Sequence, residues 1–285
     1  MESTEFDLAR RNYLDLFEAY AGERFLNYEK TAERTLFGAI KYCFFAGGKR
    51  VRPLLMLAFS DLFGADRERV LPFAFALECI HTYSLIHDDL PCMDNDDFRR
   101  GKPSCHRAFG EDIAVLAGDA LLNIAFSVCA EECYINPDKK TALCAKTIAD
   151  CAGVEGMITG QALDVLSEKN KDKNAEILYK IQKNKTAKLF EAAVAVPCIL
   201  AGGDLFKARE SGEKIGLQFQ IADDISDAEK DLAAGGKLTF VTLYGKDAAK
   251  KKVEEYYAEI VELLDKADGA EFLSEFFKIL KGRTE

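Results

Sequence analysis

Residues 80–106 read IHTYSLIHDDLPCMDNDDFRRGKPSCH, and this stretch decides how the chain is built. An apolar helical pattern carries Asp88 and Asp89 to its end. Leu90-Pro91 interrupts it, and Asp94 and Asp96 follow before Arg99 and Arg100. Carboxylates this close repel one another, so a fold keeps them together only where something offsets the repulsion. Hard divalent cations do so, and Mg2+ commonly takes one or two carboxylates with the phosphate oxygens of a substrate. A paired-arginine fork directly behind suits the geometry of a phosphate. The stretch therefore predicts a helix end that holds metal and phosphate together. An acidic N-cap for a following helix is the competing reading, and the attached Arg99-Arg100-Gly101 weighs against it.

Outward from this stretch the pattern is helical. Apolar residues recur at i, i+3, i+4 and i+7, alternation of period two is nearly absent, and Ala, Leu, Glu and Lys dominate. Amphipathic helices are expected over 5–20 and 29–45, then a break at Gly47-Gly48 and a helix over 53–63 opened by Pro53. A long helix from 67 to 90 carries Pro72 in its first turns and stops at Pro91, followed by a loop to about residue 103. Further helices are expected over 111–134, 138–168, 174–201, 206–233, 246–267 and 270–281. The segments 112–130 and 189–201 are apolar enough to be wrapped by neighbours. No low-complexity linker divides the chain. The expectation is an all-α fold, a single large helical bundle over 1–285.

Composition narrows the function. At 285 residues and 48% hydrophobic content the chain can bury a sizeable core. A net charge of −10 argues against nucleic acid or an anionic membrane as partner, so an anionic ligand must be captured locally. The nine cysteines form no CxxC pair and no zinc spacing, and they read as small hydrophobes in a reducing compartment. The N-terminus lacks a leader's apolar region, and no apolar run approaches a membrane span. A soluble, cytoplasmic protein without integral membrane association is expected.

Two further clusters bear chemistry. Asp223, Asp224 and Asp227 follow the largely apolar GLQFQIA, with 223 and 227 on one helical face. A solvated acidic helix end competes with a metal site here, and emergence from an apolar helix weighs against it. The string Ile221-Ala222-Asp223-Asp224-Ile225 echoes Ile86-His87-Asp88-Asp89-Leu90, as if two helices faced each other with carboxylates at the same end. Gly47-Gly48-Lys49-Arg50-Val51-Arg52-Pro53 joins close backbone approach, cations and a helix start, a combination suited to an anion. His81 lies two turns before Asp88 on nearly the same face, and as a lone histidine it reads as a core residue; so do His87 and His106. Gly160-Gln161-Ala162-Leu163-Asp164, Lys185-Thr186 and Phe219-Gln220 place polar pairs in apolar helices, each a weak signal alone.

Together, in order, these motifs resemble the trans-isoprenyl diphosphate synthases of the polyprenyl synthetase family, and specifically the bacterial farnesyl type. The resemblance covers nearly the whole chain, from GGKRVRP to GLQFQIADDISD. It implies an all-α bundle around a deep central cavity, of the isoprenoid synthase type I kind, usually a homodimer. It also implies head-to-tail joining of isopentenyl diphosphate to an allylic diphosphate. Asp88 and Asp94 would bind two Mg2+ ions with Asp89 supporting, and Asp223 a third with Asp224 and Asp227 supporting; Mn2+ could substitute. Lys49, Arg52, His81 and Arg100 would hold isopentenyl diphosphate, and Arg99 and Lys185 the allylic diphosphate. Thr186 and Gln220 would face the allylic cation.

The resemblance also points to product length. Tyr83, five residues before the first aspartate, would act as the floor of the chain pocket, with Ser84 beside it. The aromatic floor and the Leu90-Pro91 insertion are similar to farnesyl (C15) synthases, whereas PCMDND is similar to some geranylgeranyl (C20) relatives. One departure is plain: the segment ISDAEKDLAAGGKLTFVTLYG is about ten residues shorter than the family's. Lys237 matches the later diphosphate-binding lysine of that segment, and Lys230 is the candidate for the missing one. A class I terpene cyclase shares the fold but has no need of a second diphosphate clamp. A non-catalytic partner subunit typically lacks one acidic cluster, and a structural helical protein would bind no Mg2+-diphosphate.

Overall fold

Caps and prolines set most helix ends in the computed structural model, which describes residues 3–170, 174–233, 238–264 and 269–282. Helix α1 (Ser3–Glu29) outruns the expected 5–20 because Phe17, Ala21 and Phe25 continue one buried face. Helix α2 (Arg34–Phe44) starts late, where the Glu33 carboxylate accepts the Leu36 amide. Helix α3 (Val51–Phe63) begins two residues before the predicted proline. Pro53 sits in its first turn, where a missing N–H costs nothing. Helix α4 (Arg67–Asp88) ends two residues short of expectation, since the residue before a proline avoids helical geometry.

The stretch after α4 holds more order than a loop. Strands β1 (Phe98–Arg99) and β2 (Lys102–Pro103) form an antiparallel pair in which Phe98 faces Pro103 and Arg99 faces Lys102. Arg100 and Gly101 make the turn with φ of 53° and 75°, the left-handed pair that a two-residue hairpin requires. A short helix α5 (Cys105–Phe109) leads into α6 (Glu111–Ile135).

Two long predicted helices are interrupted. The expected 138–168 divides into α7 (Lys139–Ala152) and α8 (Met157–Asn170). Between them Gly156 packs so closely that a Cβ would stand 2.0 Å from the Cys151 carbonyl oxygen. The expected 174–201 becomes α9 (Ala175–Ile181), a six-residue π-helical turn at Gln182–Ala187, and α10 (Lys188–Ala201). The chain continues through α11 (Leu205–Ala233), a short α12 (Phe240–Tyr244), α13 (Lys246–Leu264) and α14 (Glu271–Gly282).

The fold is an all-α bundle, as the sequence predicts. The most extensive helix contact pairs α4 with α6, followed by α10 with α11. Helix α10 is enclosed as expected, with Leu189 to Leu200 all buried. Helix α6 is not: it buries one stripe from Ala114 to Cys129 and leaves Val115 and Leu116 40% and 50% exposed. Contrary to the sequence expectation, α4 and α6 are long and apolar enough to cross a membrane by length and composition, and 78% and 44% of their apolar windows are buried inside the fold. Phe17, Phe25, Phe44 and Phe75 build the aromatic centre of one core, with Phe25 and Phe44 edge-on at 4.8 Å. A second core gathers α3, α11, α13 and α14.

A buried ion pair joins three of these elements. The Arg50 guanidinium donates to Glu78 of α4 at 2.9 Å and to Glu18 of α1 at 2.7 Å, and stacks 4.8 Å from the Phe44 ring. Both Arg50 and Glu78 are almost fully buried, so removing one strands the other's charge. Arg50→Ala is expected to lower unfolding free energy by about 3–5 kcal/mol in urea titration. A loss below about 1 kcal/mol, the worth of an exposed pair, would contradict this placement.

Candidate active site

A cavity of roughly 1290 Å3 opens among α3, α4, α6, α8, the π turn and α11. At the start of α3 the Gly47-Gly48 loop brings in Lys49 and Arg52, which line it. The glycines there meet the hairpin. Arg100 donates to the Gly47 carbonyl, and a Cβ on Gly48 would lie 2.6 Å from the Arg100 guanidinium carbon. The two basic motifs of the sequence therefore interlock, and Arg99 and Arg100 line the same cavity.

These cations shape one another's chemistry. Arg52 is buried over the Phe190 ring at 4.8 Å, and its Nε finds no partner among the described residues. Burial lowers its pKa to about 10, with Glu78 and Asp223 pulling the other way. His81 lines the cavity on α4. Its pKa is driven well below the ordinary histidine value, first by burial and then by Arg52, Arg100, Arg50 and Arg99. His81 is thus neutral at pH 7, ready to donate one hydrogen bond. Arg50, grouped with Lys49 and Arg52 in the sequence, is a buried structural arginine instead.

On the acidic side, Asp88 and Asp223 line the cavity from α4 and α11. Lys185 lies between acids, its Nζ 2.7 Å from Asp164 and 3.9 Å from Asp88. The π turn carries Gln182, Lys185 and Thr186. Such a turn shifts side-chain register by one residue and is common at functional sites. Helix α8 presses closely against it: a Cβ on Gly160 would stand 2.0 Å from the Lys185 amide nitrogen. The Thr186 hydroxyl donates to Gln220 Oε1 at 2.5 Å, and Gln220 Nε2 donates to Asp224 at 2.8 Å. Asp224 also accepts from Gln182 at 3.0 Å and from the Phe240 amide at 2.9 Å. A side cavity of roughly 190 Å3, lined by Asp223, Asp224 and Asp227, shares Lys185, Thr186 and Gln220 with the large one.

Not every predicted residue faces the large cavity. Asp89 is buried at 2% exposure and takes the Arg99 guanidinium at 2.9 and 3.2 Å through Nε. Burial raises its carboxyl pKa, and Arg99 opposes the rise. Asp94 folds back as the Leu90-Pro91 step predicts, its amide donating to the Asp88 carbonyl at 2.9 Å, but it sits on an exposed turn outside the lining. Lys237 lies outside the described residues, and so does the side chain of Lys230. Among the described residues no three carboxylate, imidazole or thiol groups stand close enough to hold an ion between them. Asp88 and Asp223 both line the cavity, where an ion could take its remaining ligands from phosphate oxygens. Sequence reasoning missed Glu78, whose signal was a lone acid in the apolar run LECIH, and Gln182, which gave none.

The polyprenyl synthetase family model matches residues 33–273. This chain belongs to the polyprenyl synthetase family. It is 43% identical over 244 residues to a chloroplastic geranylgeranyl pyrophosphate synthase of Catharanthus roseus, covering 81% of this chain and 68% of that one. A Capsicum annuum protein of the same description is 39% identical over 262 residues, covering 86% and 71%. Among solved structures, a geranyltransferase from Legionella pneumophila matches with a TM-score of 0.88 at 34% identity, over 98% of both chains. An FPP/GFPP synthase from Zymomonas mobilis matches at 0.83 and 34%, over 95% of this chain and 99% of that one. As a polyprenyl synthetase the chain is a prenyltransferase that elongates prenyl chains.

The chain has three histidines, so their ring signals can be followed singly by NMR. His81 is expected to titrate well below pH 6.5 in the free protein. Added inorganic pyrophosphate offsets the arginines and should move that midpoint upward. An ordinary midpoint without ligand would refute the electrostatic reading.

Proposed function

We propose that this polyprenyl synthetase condenses isopentenyl diphosphate head to tail with dimethylallyl and then geranyl diphosphate, ending at farnesyl diphosphate. The observation that carries the reading is one cavity that gathers cations and acids together. Lys49, Arg52, His81, Arg99, Arg100 and Lys185 line it with Asp88 and Asp223.

Lys49, Arg52, His81 and Arg100 hold isopentenyl diphosphate, and Arg99 and Lys185 the allylic diphosphate. Asp89 acts through Arg99, which it holds in place. Asp88, Asp94 and Asp223 would hold Mg2+, with Asp224 and Asp227 supporting; the ions, three by the family's pattern, would supply positive charge to the departing pyrophosphate. With the allylic diphosphate held by Arg99 and Lys185, the C–O bond breaks and its electron pair leaves with pyrophosphate. Thr186 and Gln220 face the resulting cation, and the apolar cavity keeps water from it. The isopentenyl double bond attacks, and the pyrophosphate takes the proton that restores an alkene. Asp164 holds Lys185 for this role. Lys237 and Lys230 are the further candidates for the allylic diphosphate.

Product length rests on Tyr83, whose buried ring lines the cavity with Ser84 near Asp88. That favours C15. C20 is the second reading, and the geranylgeranyl descriptions of relatives 39–43% identical favour it. The proposal extends to a homodimer working in the cytoplasm, and sedimentation at about twice the chain mass would check the first part.

The decisive assay mixes dimethylallyl and isopentenyl diphosphates with Mg2+; absence of any elongated product sinks the synthase reading. Asp88→Ala and Asp223→Ala are each expected to lower turnover by roughly 10²–10³-fold with the helical circular dichroism unchanged. Near-normal rates would remove the metal roles. Tyr83→Ala should lengthen the product, and an unchanged product would remove the floor.

A further inference from the structure

Tyr83 is buried, and its hydroxyl has no hydrogen-bond partner among the described residues. A phenol without an anchor at its oxygen keeps its rotamer through ring packing alone. The ring it meets is His87, one turn further along α4, with centroids 5.7 Å apart and planes at 78°. His87 is itself pinned from the neighbouring helix. Its Nε2 lies 3.1 Å from the Val115 carbonyl of α6 and 4.0 Å from Asp119 Oδ1. A carbonyl only accepts, so Nε2 carries the proton and donates.

The fit depends on a glycine. A Cβ at Gly118 would stand 2.1 Å from His87 Nε2 and 2.4 Å from its Cδ2, so α6 leaves a notch where a side chain would be. Tyr83, His87, Val115 and Leu122 all line the large cavity.

We propose that His87, seated in the Gly118 notch and bonded to Val115, positions the Tyr83 ring in the cavity wall, so that the pair fixes product chain length. His87 acts through Tyr83 and is a positioning residue. The inference rests on Tyr83 being the floor of the chain pocket. Without the imidazole, Tyr83 loses its ring contact, gains other rotamers, and uncovers the wall at Val115 and Leu122.

The test uses the full chain with dimethylallyl diphosphate, excess isopentenyl diphosphate and Mg2+, and separates the dephosphorylated products by chromatography. His87→Ala and Gly118→Ala, on different helices, are each expected to raise the share of product longer than wild type by about fivefold. In a Tyr83→Ala background His87→Ala should add less than about twofold, because the ring it positions is gone. Wild-type product lengths in His87→Ala, or the full effect persisting without Tyr83, would overturn the proposal. Should Gly118→Ala fail to fold, His87→Ala decides by itself. Elongation by all variants with unchanged lengths counts against His87 alone, whereas no elongation by the wild type sinks the synthase reading and this inference with it.

Discussion

Four arginines and a histidine line a single cavity, and the cost of burying their charge together is the constraint on which the rest of the structure depends. Such a cluster is unfavourable unless an anion answers it. Glu78, buried on α4, answers Arg50 directly and opposes the burial that lowers the pKa values of Arg52 and Arg100. His81 yields its proton first through burial and then under the field of these arginines. Residual positive charge with desolvated donors suits an anionic ligand. The Arg50–Glu78–Glu18 link also ties α1, the start of α3 and α4 together, so the anion site and the fold share one ion network.

The acidic side is organised by hydrogen bonds instead. Each adjacent aspartate pair divides its labour: Asp88 and Asp223 line the cavity, while Asp89 and Asp224 turn to partners within the protein. Asp224 accepts from three donors on three elements, among them the Phe240 amide within the shortened segment. That carboxylate therefore anchors the chain after the second acidic cluster and fixes Gln220 against Thr186. A carboxylate with three donors is committed to the fold.

The π turn is the least expected element and the one that brings the two sides together. An α-helical reading of 174–201 places Gln182, Lys185 and Thr186 at ordinary spacing. The observed turn inserts a residue where α8 presses in at Gly160 and α11 at Gly216, whose Cβ would stand 2.4 Å from Ala187 Cα. No local pattern marks it, because close packing from two other helices selects it.

The sequence by itself determined the helical class and most helix spans, and it pointed to residues that line the cavity. Helical periodicity, glycine and proline placement, and clustered like charges are all local signals. The meeting of Lys49, Arg52 and His81 with Arg99 and Arg100 in one cavity follows the motif resemblance closely. Tertiary structure alone decided that Asp94 stays outside the cavity lining, that Arg50 serves the fold, that α6 keeps an exposed face, and that a π turn carries Lys185. It alone gave His87, read from the sequence as an ordinary core histidine, a partner at Val115 and a seat over Gly118. Those outcomes depend on which helix packs against which and how closely, and spacing along one helix carries no record of its neighbour.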